Sequence, residues 1–103
     1  MDSKLREIIK RIVDGSDPDK IILIGSRAKE KNKECSDYDI CILKKDVTNR
    51  RKLAQKIYHE LFGVGASVDV IVETPERFNA LKNKWFLVYG EIAKTGSIMY
   101  EKQ

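Results

Sequence analysis

Three aspartates and one Gly-Ser pair carry the groups in this sequence whose types and spacing are suited to chemistry. Gly25 and Ser26 end an apolar run, ten residues follow, and an Asp-x-Asp motif at Asp37 and Asp39 opens the next apolar run. Asp69 lies inside a later run of alternating apolar residues, SVDVIV. Carboxylate oxygens are the ligands that Mg²⁺ prefers, and Mg²⁺ commonly shares them with substrate phosphates.

Strand geometry would bring these three carboxylates together. Residues two apart in a strand share a face, so Asp37 and Asp39 project the same way with Cα atoms roughly 6–7 Å apart. Asp69 joins them if its strand pairs with theirs. Three carboxylates this close repel one another, and divalent cations resolve the conflict. Two metal ions ~3.5–4 Å apart can steady both the attacking and the leaving oxygen of an in-line displacement.

The Gly-Ser turn would supply the phosphate-binding half of such a site. Glycine lets the backbone approach a phosphate, and N–H groups at the start of a helical turn point at an anion. The Ser26 hydroxyl adds a hydrogen bond, and Arg27 adds positive charge beside the leaving pyrophosphate. Gly-Ser alone is typical of an ordinary turn, and Asp-x-Asp alone of a solvated strand end. Their combination with Asp69 indicates nucleotidyl transfer, whereas the P-loop and dinucleotide-binding glycine patterns are absent from the sequence.

Apolar periodicity and turn signals predict the elements that position these residues. They are a helix from about Ser3 to Asp14, strands at Ile21–Ile24, Tyr38–Leu43, Ala66–Val72 and Ser97–Tyr100, a short helical turn after Ser26, a long helix capped by Thr48 or Asn49, a helix that begins at Thr74-Pro75, and another that begins near Trp85 and ends at Gly96. This order predicts the α/β (α+β) class, with one mixed β-sheet and helices packed on it.

The long helix is expected to bury one apolar face before two glycines end it. The residues expected on that face are Leu53, Ala54, Ile57, Tyr58, Leu61 and Phe62. Gly63 and Gly65 follow.

Composition limits the class of protein. A chain of 103 residues with 42% hydrophobic residues is expected to form a single domain over residues 1–103. Because no apolar run approaches the ~20 residues of a bilayer span and no signal peptide is visible, we expect a cytoplasmic protein with no membrane partner. Cys35 and Cys41 lack metal-ligand spacing and are expected to be free thiols. The net charge of +4 arises from scattered residues, apart from basic stretches at Lys29–Lys33 and Asn49–Lys52, so direct nucleic-acid binding is not expected.

The spacing of Gly-Ser, ten residues and Asp-x-Asp resembles the signature of the minimal nucleotidyltransferases in the DNA polymerase β-like superfamily. The fragments GSRA, SDYDI and VDVIV match as well, and the resemblance covers nearly the whole chain. It implies the nucleotidyltransferase (polymerase β palm-like) fold. Such proteins often continue GSRA with Arg-Gly, where this chain has Lys29 and Glu30. The departure concerns the geometry and charge of that loop, and hence activity, but not the aspartates.

The resemblance also implies a role for each residue of the motif. Asp37 and Asp39 would bind two Mg²⁺ ions, and Asp69 would hold one of them and help to activate the acceptor hydroxyl as general base. Gly25 and Ser26, with Arg27 beside them, would hold the triphosphate of ATP. The implied reaction transfers AMP to a hydroxyl and releases pyrophosphate.

Small proteins of this type are commonly antitoxins of type VII toxin–antitoxin pairs. They silence a HEPN-domain ribonuclease toxin by adding AMP to one of its tyrosines, so the resemblance implies a HEPN toxin as partner. Two other functions stay open at this point: a non-catalytic antitoxin that blocks its toxin by contact alone, and nucleotidyl transfer to a small molecule or RNA.

Overall fold

The computed structural model of the chain describes residues 3–24, 37–84 and 88–103, with the backbone alone at residues 37 and 88. Helices and strands follow one another in these ranges in the predicted order. They are α1 (Ser3–Ser16), β1 (Lys20–Leu23), β2 (Asp37–Leu43), α2 (Arg50–Glu60), β3 (Ser67–Glu73), α3 (Pro75–Leu81), α4 (Val88–Thr95) and β4 (Ser97–Glu101). The helical turn predicted after Ser26 lies outside the described residues.

The four strands form one mixed sheet in the order β3-β2-β1-β4. Strand β1 is antiparallel to both of its neighbours, whereas β2 and β3 are parallel. A parallel pair needs a crossover connection, and α2 provides it between β2 and β3. The prediction of a mixed sheet with helices packed on it is therefore confirmed.

One face of the sheet packs against α1 and α2. Alternation along β2 sends Tyr38, Ile40 and Ile42 to this side, where all three are buried. The helices contribute buried side chains to the same cluster: Leu5, Ile8, Ile12, Ile57 and Leu61. Full burial of such a side chain stabilises a fold by roughly 1.5–3 kcal/mol, so this layer is the main core.

The opposite face is covered by α3 and α4 over only part of its length. Cys41 and Leu43 of β2 are buried there in one cluster with Phe78 of α3 and Ile92 of α4. Cys41 is a free thiol, as predicted, and Cys35 lies outside the described residues. Because Asp39 is two residues before Cys41, the same alternation places it on this face, beyond the apolar cluster.

The helix boundaries follow local signals in the sequence. The Asn49 side chain caps α2 by accepting a hydrogen bond of 3.0 Å from the Lys52 N–H, and Thr74 caps α3 with Pro75 at its start. Such caps stabilise a helix by about 1 kcal/mol. Gly63 and Gly65 have φ of 81° and 82° and carry the chain out of α2. In the described ranges, none of the helices combines the length and apolarity that crossing a bilayer requires.

The structure corrects the expected burial of Tyr58 and Phe62. Phe62 is 86% exposed and Tyr58 is 44% exposed. Helix α2 ends at Glu60, so the helical periodicity that would bring Phe62 inward no longer applies to it. The Tyr58 hydroxyl instead reaches the edge of the sheet, where it accepts a hydrogen bond of 2.9 Å from the Val70 N–H. Of the six predicted residues, only Ile57 and Leu61 are buried, and Leu53 and Ala54 are half-buried.

Candidate active site

Asp39 and Asp69 are directly opposite each other in the parallel pair of β2 and β3. Neighbouring strands lie about 4.8 Å apart, and register partners project to the same face of the sheet. The two carboxylates therefore project side by side, Asp39 half-buried and Asp69 exposed to solvent. The pairing of the second and third strands, on which convergence of the aspartates depended, is thus present.

The backbone of Asp37 lies opposite Ser67, two residues along each strand from the pair of Asp39 and Asp69. Since Asp37 is two residues from Asp39 in the same strand, alternation assigns it to the same face. The Asp37 side chain lies outside the described part of the structure. Its register is the one that a three-carboxylate site requires, and metal binding by the three aspartates stays a prediction.

Strand β1 leads the chain to the same end of the sheet. It runs antiparallel to β2, and the N–H of Ile24 donates a hydrogen bond of 2.8 Å to the carbonyl oxygen of Asp39. The predicted phosphate-binding residues Gly25, Ser26 and Arg27 follow Ile24 directly in the sequence and lie outside the described residues. Their binding role stays a prediction.

The donor chemistry at this position suits magnesium. Among the described side chains there is no group of three metal-ligating residues, and Asp39 and Asp69 supply two of the predicted three. Carboxylate oxygens are hard ligands, and Mg²⁺ is typically bound by one or two carboxylates together with substrate phosphates. Asp39 and Asp69 therefore fit a magnesium ion that is shared with a nucleotide.

The structure adds a buried carboxylate, Glu73, that the sequence reasoning missed. Its side chain is 1% exposed, and its Oε1 accepts hydrogen bonds of 2.6 Å from Arg50 Nη1 and from the Tyr89 hydroxyl. Arg77 Nε lies 3.5 Å from the same oxygen, and the Thr74 N–H donates to Oε2 at 3.2 Å. The sequence analysis predicts a third strand that ends at Val72, whereas β3 extends to Glu73. Glu73 continues the spacing of two residues that links Asp69 and Ile71, and this spacing was the sequence signal for a longer strand.

Glu73 joins the sheet to the surrounding helices. It lies four residues after Asp69, about 13 Å along the strand, so it is too distant to share a ligand with that carboxylate. Burial, followed by the hydrogen bond to Glu73, raises the pKa of Tyr89 to about 12. The Tyr89 ring also packs edge-on against Phe78, with ring centroids 5.9 Å apart. We therefore interpret Glu73 as a residue that holds α2, α3 and α4 in position against β3.

A protein-family model described as a nucleotidyltransferase domain matches residues 2–97. The match covers most of the chain, so the chain belongs to the nucleotidyltransferase domain family. This confirms the predicted class of enzyme, and the mixed sheet with its helices is the fold expected of it. No curated protein matches the sequence.

Solved structures of toxin–antitoxin pairs share this fold. A crystal structure of a toxin-antitoxin with AMP-PNP matches with a TM-score of 0.59 and 23% identity over 98% of this chain and 75% of that chain. A variant of the pair MntA-HpeT with two aspartate-to-glutamate substitutions matches with a TM-score of 0.57 and 21% identity over 95% of this chain and 73% of that chain. A tyrosine-to-alanine variant of the same pair matches with a TM-score of 0.58 and 23% identity over 96% of this chain and 73% of that chain. At this level of identity the likeness concerns the fold.

Proposed function

We propose that this chain is a Mg²⁺-dependent adenylyltransferase that transfers AMP from ATP to a tyrosine hydroxyl of a cognate HEPN ribonuclease toxin. It would thereby act as the antitoxin of a type VII pair, in the cytoplasm. The observation that carries the proposal is the register of Asp39 opposite Asp69 in a domain of the nucleotidyltransferase family. The toxin–antitoxin structures that share its fold, one of them with AMP-PNP, support the choice of partner and nucleotide.

The proposal assigns two tasks to the aspartates, metal binding and acceptance of a proton. Asp37 and Asp39 would hold two magnesium ions, and Asp69 would hold one of them and accept the proton of the attacking hydroxyl. Bound magnesium would neutralise the phosphate charge that develops during transfer. Gly25, Ser26 and Arg27 hold the triphosphate. The remaining contribution of the chain is orientation, since its strands keep the carboxylates in a fixed arrangement.

The test is incubation of the purified protein with ATP, Mg²⁺ and a candidate HEPN toxin, followed by intact-mass spectrometry. The toxin should gain the mass of an adenylyl group. Asp39→Asn and Asp69→Asn should each lower the rate at least ~10²-fold, as removal of a main electrostatic stabiliser does. Asp46→Asn is a matched control, because Asp46 lies in the turn after β2, and its left-handed φ of 64° is one that Asn accepts readily.

Three outcomes would contradict the proposal. One is an unmodified toxin alongside a working control transferase. Another is full neutralisation of the toxin by the Asp39→Asn or Asp69→Asn variant, which would indicate blocking by contact alone. The last is transfer to RNA or to an aminoglycoside in the absence of any protein acceptor.

A further inference from the structure

One short segment has a higher net positive charge than the whole chain. Residues 44–56 contain six lysines and arginines and a single aspartate, a net charge of +5. The whole chain carries +4, so the remaining residues together are slightly acidic. The chain is therefore strongly polarised rather than uniformly basic.

This segment lies at the far end of the sheet from the aspartates. It begins with Lys44, where β2 ends, and includes the first two turns of α2. Lys44 is five residues after Asp39, about 16 Å along the strand direction. The basic segment is therefore separate from the predicted nucleotide site.

Ion pairs between described residues account for two of the six cations. Arg50 pairs with Glu73 at 2.6 Å, and Lys56 pairs with Glu60 at 2.6 Å. Lys44 donates a hydrogen bond of 3.0 Å to the backbone carbonyl oxygen of Asp17, and its ammonium group forms no ion pair of 4 Å or less with a carboxylate of the described residues.

Arg51 and Lys52 are both exposed, and neither is in an ion pair with another residue of the described ranges. They lie in the first turn of α2, which contains no acidic residue. The N-terminal end of a helix is partially positive and favours anions, so two cations there oppose the helix dipole. Arg51 and Lys52 therefore make no evident contribution to the stability of the fold.

Three of the lysines face one concave surface, which we call the lysine groove. It has a volume of about 430 Å³ and is lined by Lys44, Val47, Thr48, Asn49, Lys52, Leu53 and Lys56. Val47 and Leu53 are half-buried against the main core, so apolar surface lies between the lysines. Residues 44–56 contain no aromatic side chain on which a base could stack.

We propose that the lysine groove docks an acidic segment of a partner protein. Its carboxylates would pair with Lys44 and Lys52, and an apolar side chain between them would lie on Val47 and Leu53. Charge complementarity of this kind sets association rate and choice of partner. The inference goes beyond the proposed function, because docking at this end requires neither ATP nor the aspartates.

The probe is a short fluorescein-labelled peptide in which glutamates flank leucines, and binding is followed by fluorescence anisotropy at low and moderate salt. The double variant Arg51→Glu/Lys52→Glu reverses the charge of one lining residue of the groove and of its exposed neighbour in the chain. It should bind the peptide roughly tenfold more weakly than the wild type does, and salt should weaken binding to the wild type. The thermal unfolding midpoint of the double variant should be equal to or higher than that of the wild type, since acidic residues are favourable at the start of a helix. An unchanged or higher midpoint would show that weaker peptide binding by the variant is not caused by misfolding.

The matched control is Lys84→Glu/Lys94→Glu, which makes the same change in net charge at two exposed positions outside the groove. It should bind the peptide as the wild type does, and so should Asp69→Asn, which tests transfer but not docking. Equal loss of binding in both double variants would overturn the proposal. The proposal would also be overturned if the wild type bound a peptide with glutamine in place of glutamate as tightly as the acidic peptide. A third contradicting result is binding of duplex RNA that is tighter than binding of the acidic peptide and is abolished by the Arg51→Glu/Lys52→Glu change.

Discussion

Arg50 and Glu73 form a hydrogen-bonded ion pair of 2.6 Å between side chains that are 48% and 1% exposed. Arg50 is the first residue of α2 and Glu73 the last residue of β3, so the pair closes the crossover that connects β2 to β3. The Tyr89 hydroxyl donates to the same carboxylate oxygen from α4. One buried charge thus holds together the elements that keep Asp39 beside Asp69.

Replacement of Glu73 by alanine should therefore destabilise the protein strongly. It would leave a guanidinium and a tyrosine hydroxyl without their acceptor, at a cost of about 2–3 kcal/mol, less than for a fully buried pair because Arg50 is half-exposed. Urea unfolding measures the difference. Glu101→Ala is the control, because its pair with Lys20 is solvent-exposed and worth under ~1 kcal/mol. Equal losses in the two variants would show that Glu73 has no special role.

Tyr89 should make stability depend on pH in the alkaline range. The fold raises the pKa of Tyr89 from its ordinary value of 10.0 to about 12, so the folded state favours the protonated phenol. This contribution is fully present below pH 10.0 and is lost as the pH rises towards about 12. Urea midpoints across that range should fall less steeply for Tyr89→Phe than for the wild type. Parallel pH profiles would contradict the assignment.

Gly96, which connects α4 to β4, has no room for a side chain. A Cβ there would lie 2.5 Å from the Ile92 carbonyl oxygen and 2.7 Å from Ile22 Cγ2. Gly96→Ala should cost about 2–3 kcal/mol, since backbone and core must both shift. Gly63→Ala is the comparison, because Gly63 has φ of 81° but no atom within 4 Å of its Cβ position, and backbone strain alone costs about 1–2 kcal/mol. Urea unfolding should rank the Gly96 variant as the less stable.

Local signals in the sequence were sufficient for most of the fold. The sequence left Thr48 or Asn49 as the cap of α2, and the structure shows Asn49 in that role; Thr74 caps α3 as predicted. Both caps could be predicted because capping depends on a side chain and the backbone a few residues away. Strand alternation likewise assigned Asp39 and Asp69 to one face. Phe62 was placed wrongly because the rule for a helical face ceases to apply where the helix ends, and the exposure of the loop there depends on tertiary packing. Glu73 was missed because its partners come from three separate helices.

Tyr58 should protect the exposed edge of β3. Its hydroxyl accepts the Val70 N–H at 2.9 Å, and β3 is an edge strand of the sheet. Tyr58→Phe removes that acceptor, so the Val70 amide should exchange with deuterium markedly faster, at a stability cost of about 0.5–1.5 kcal/mol. Phe62→Ser should leave Val70 exchange unchanged, because Phe62 is 86% exposed. Equal exchange rates of the Val70 amide in Tyr58→Phe and in the wild type would show that the Tyr58 hydroxyl does not protect this amide.

Nucleotide and magnesium together should stabilise the folded chain. A ligand that binds only the native state adds about 2.7 kcal/mol at a hundredfold excess over its dissociation constant. Thermal melts with Mg²⁺ and a non-hydrolysable ATP analogue should show this increase for the wild type and for Asp46→Asn. The Asp39→Asn and Asp69→Asn variants should lose most of it. An increase of equal size in all four proteins would place the nucleotide elsewhere.

The alignment of β2 with β3 has a consequence for how the carboxylates come to be assembled. Sliding β3 by a single position would turn Asp69 towards α1 and α2 and bring a valine to the opposite side. Burial of the valines that alternate with Asp69 opposes this slip, since Val68, Val70 and Val72 all pack into the main core. Hydrophobic packing, rather than an arriving ion, would thus preorganise the acidic pair during folding. Substitutions that keep the apolar alternation should preserve this geometry even where the rest of the sequence has diverged.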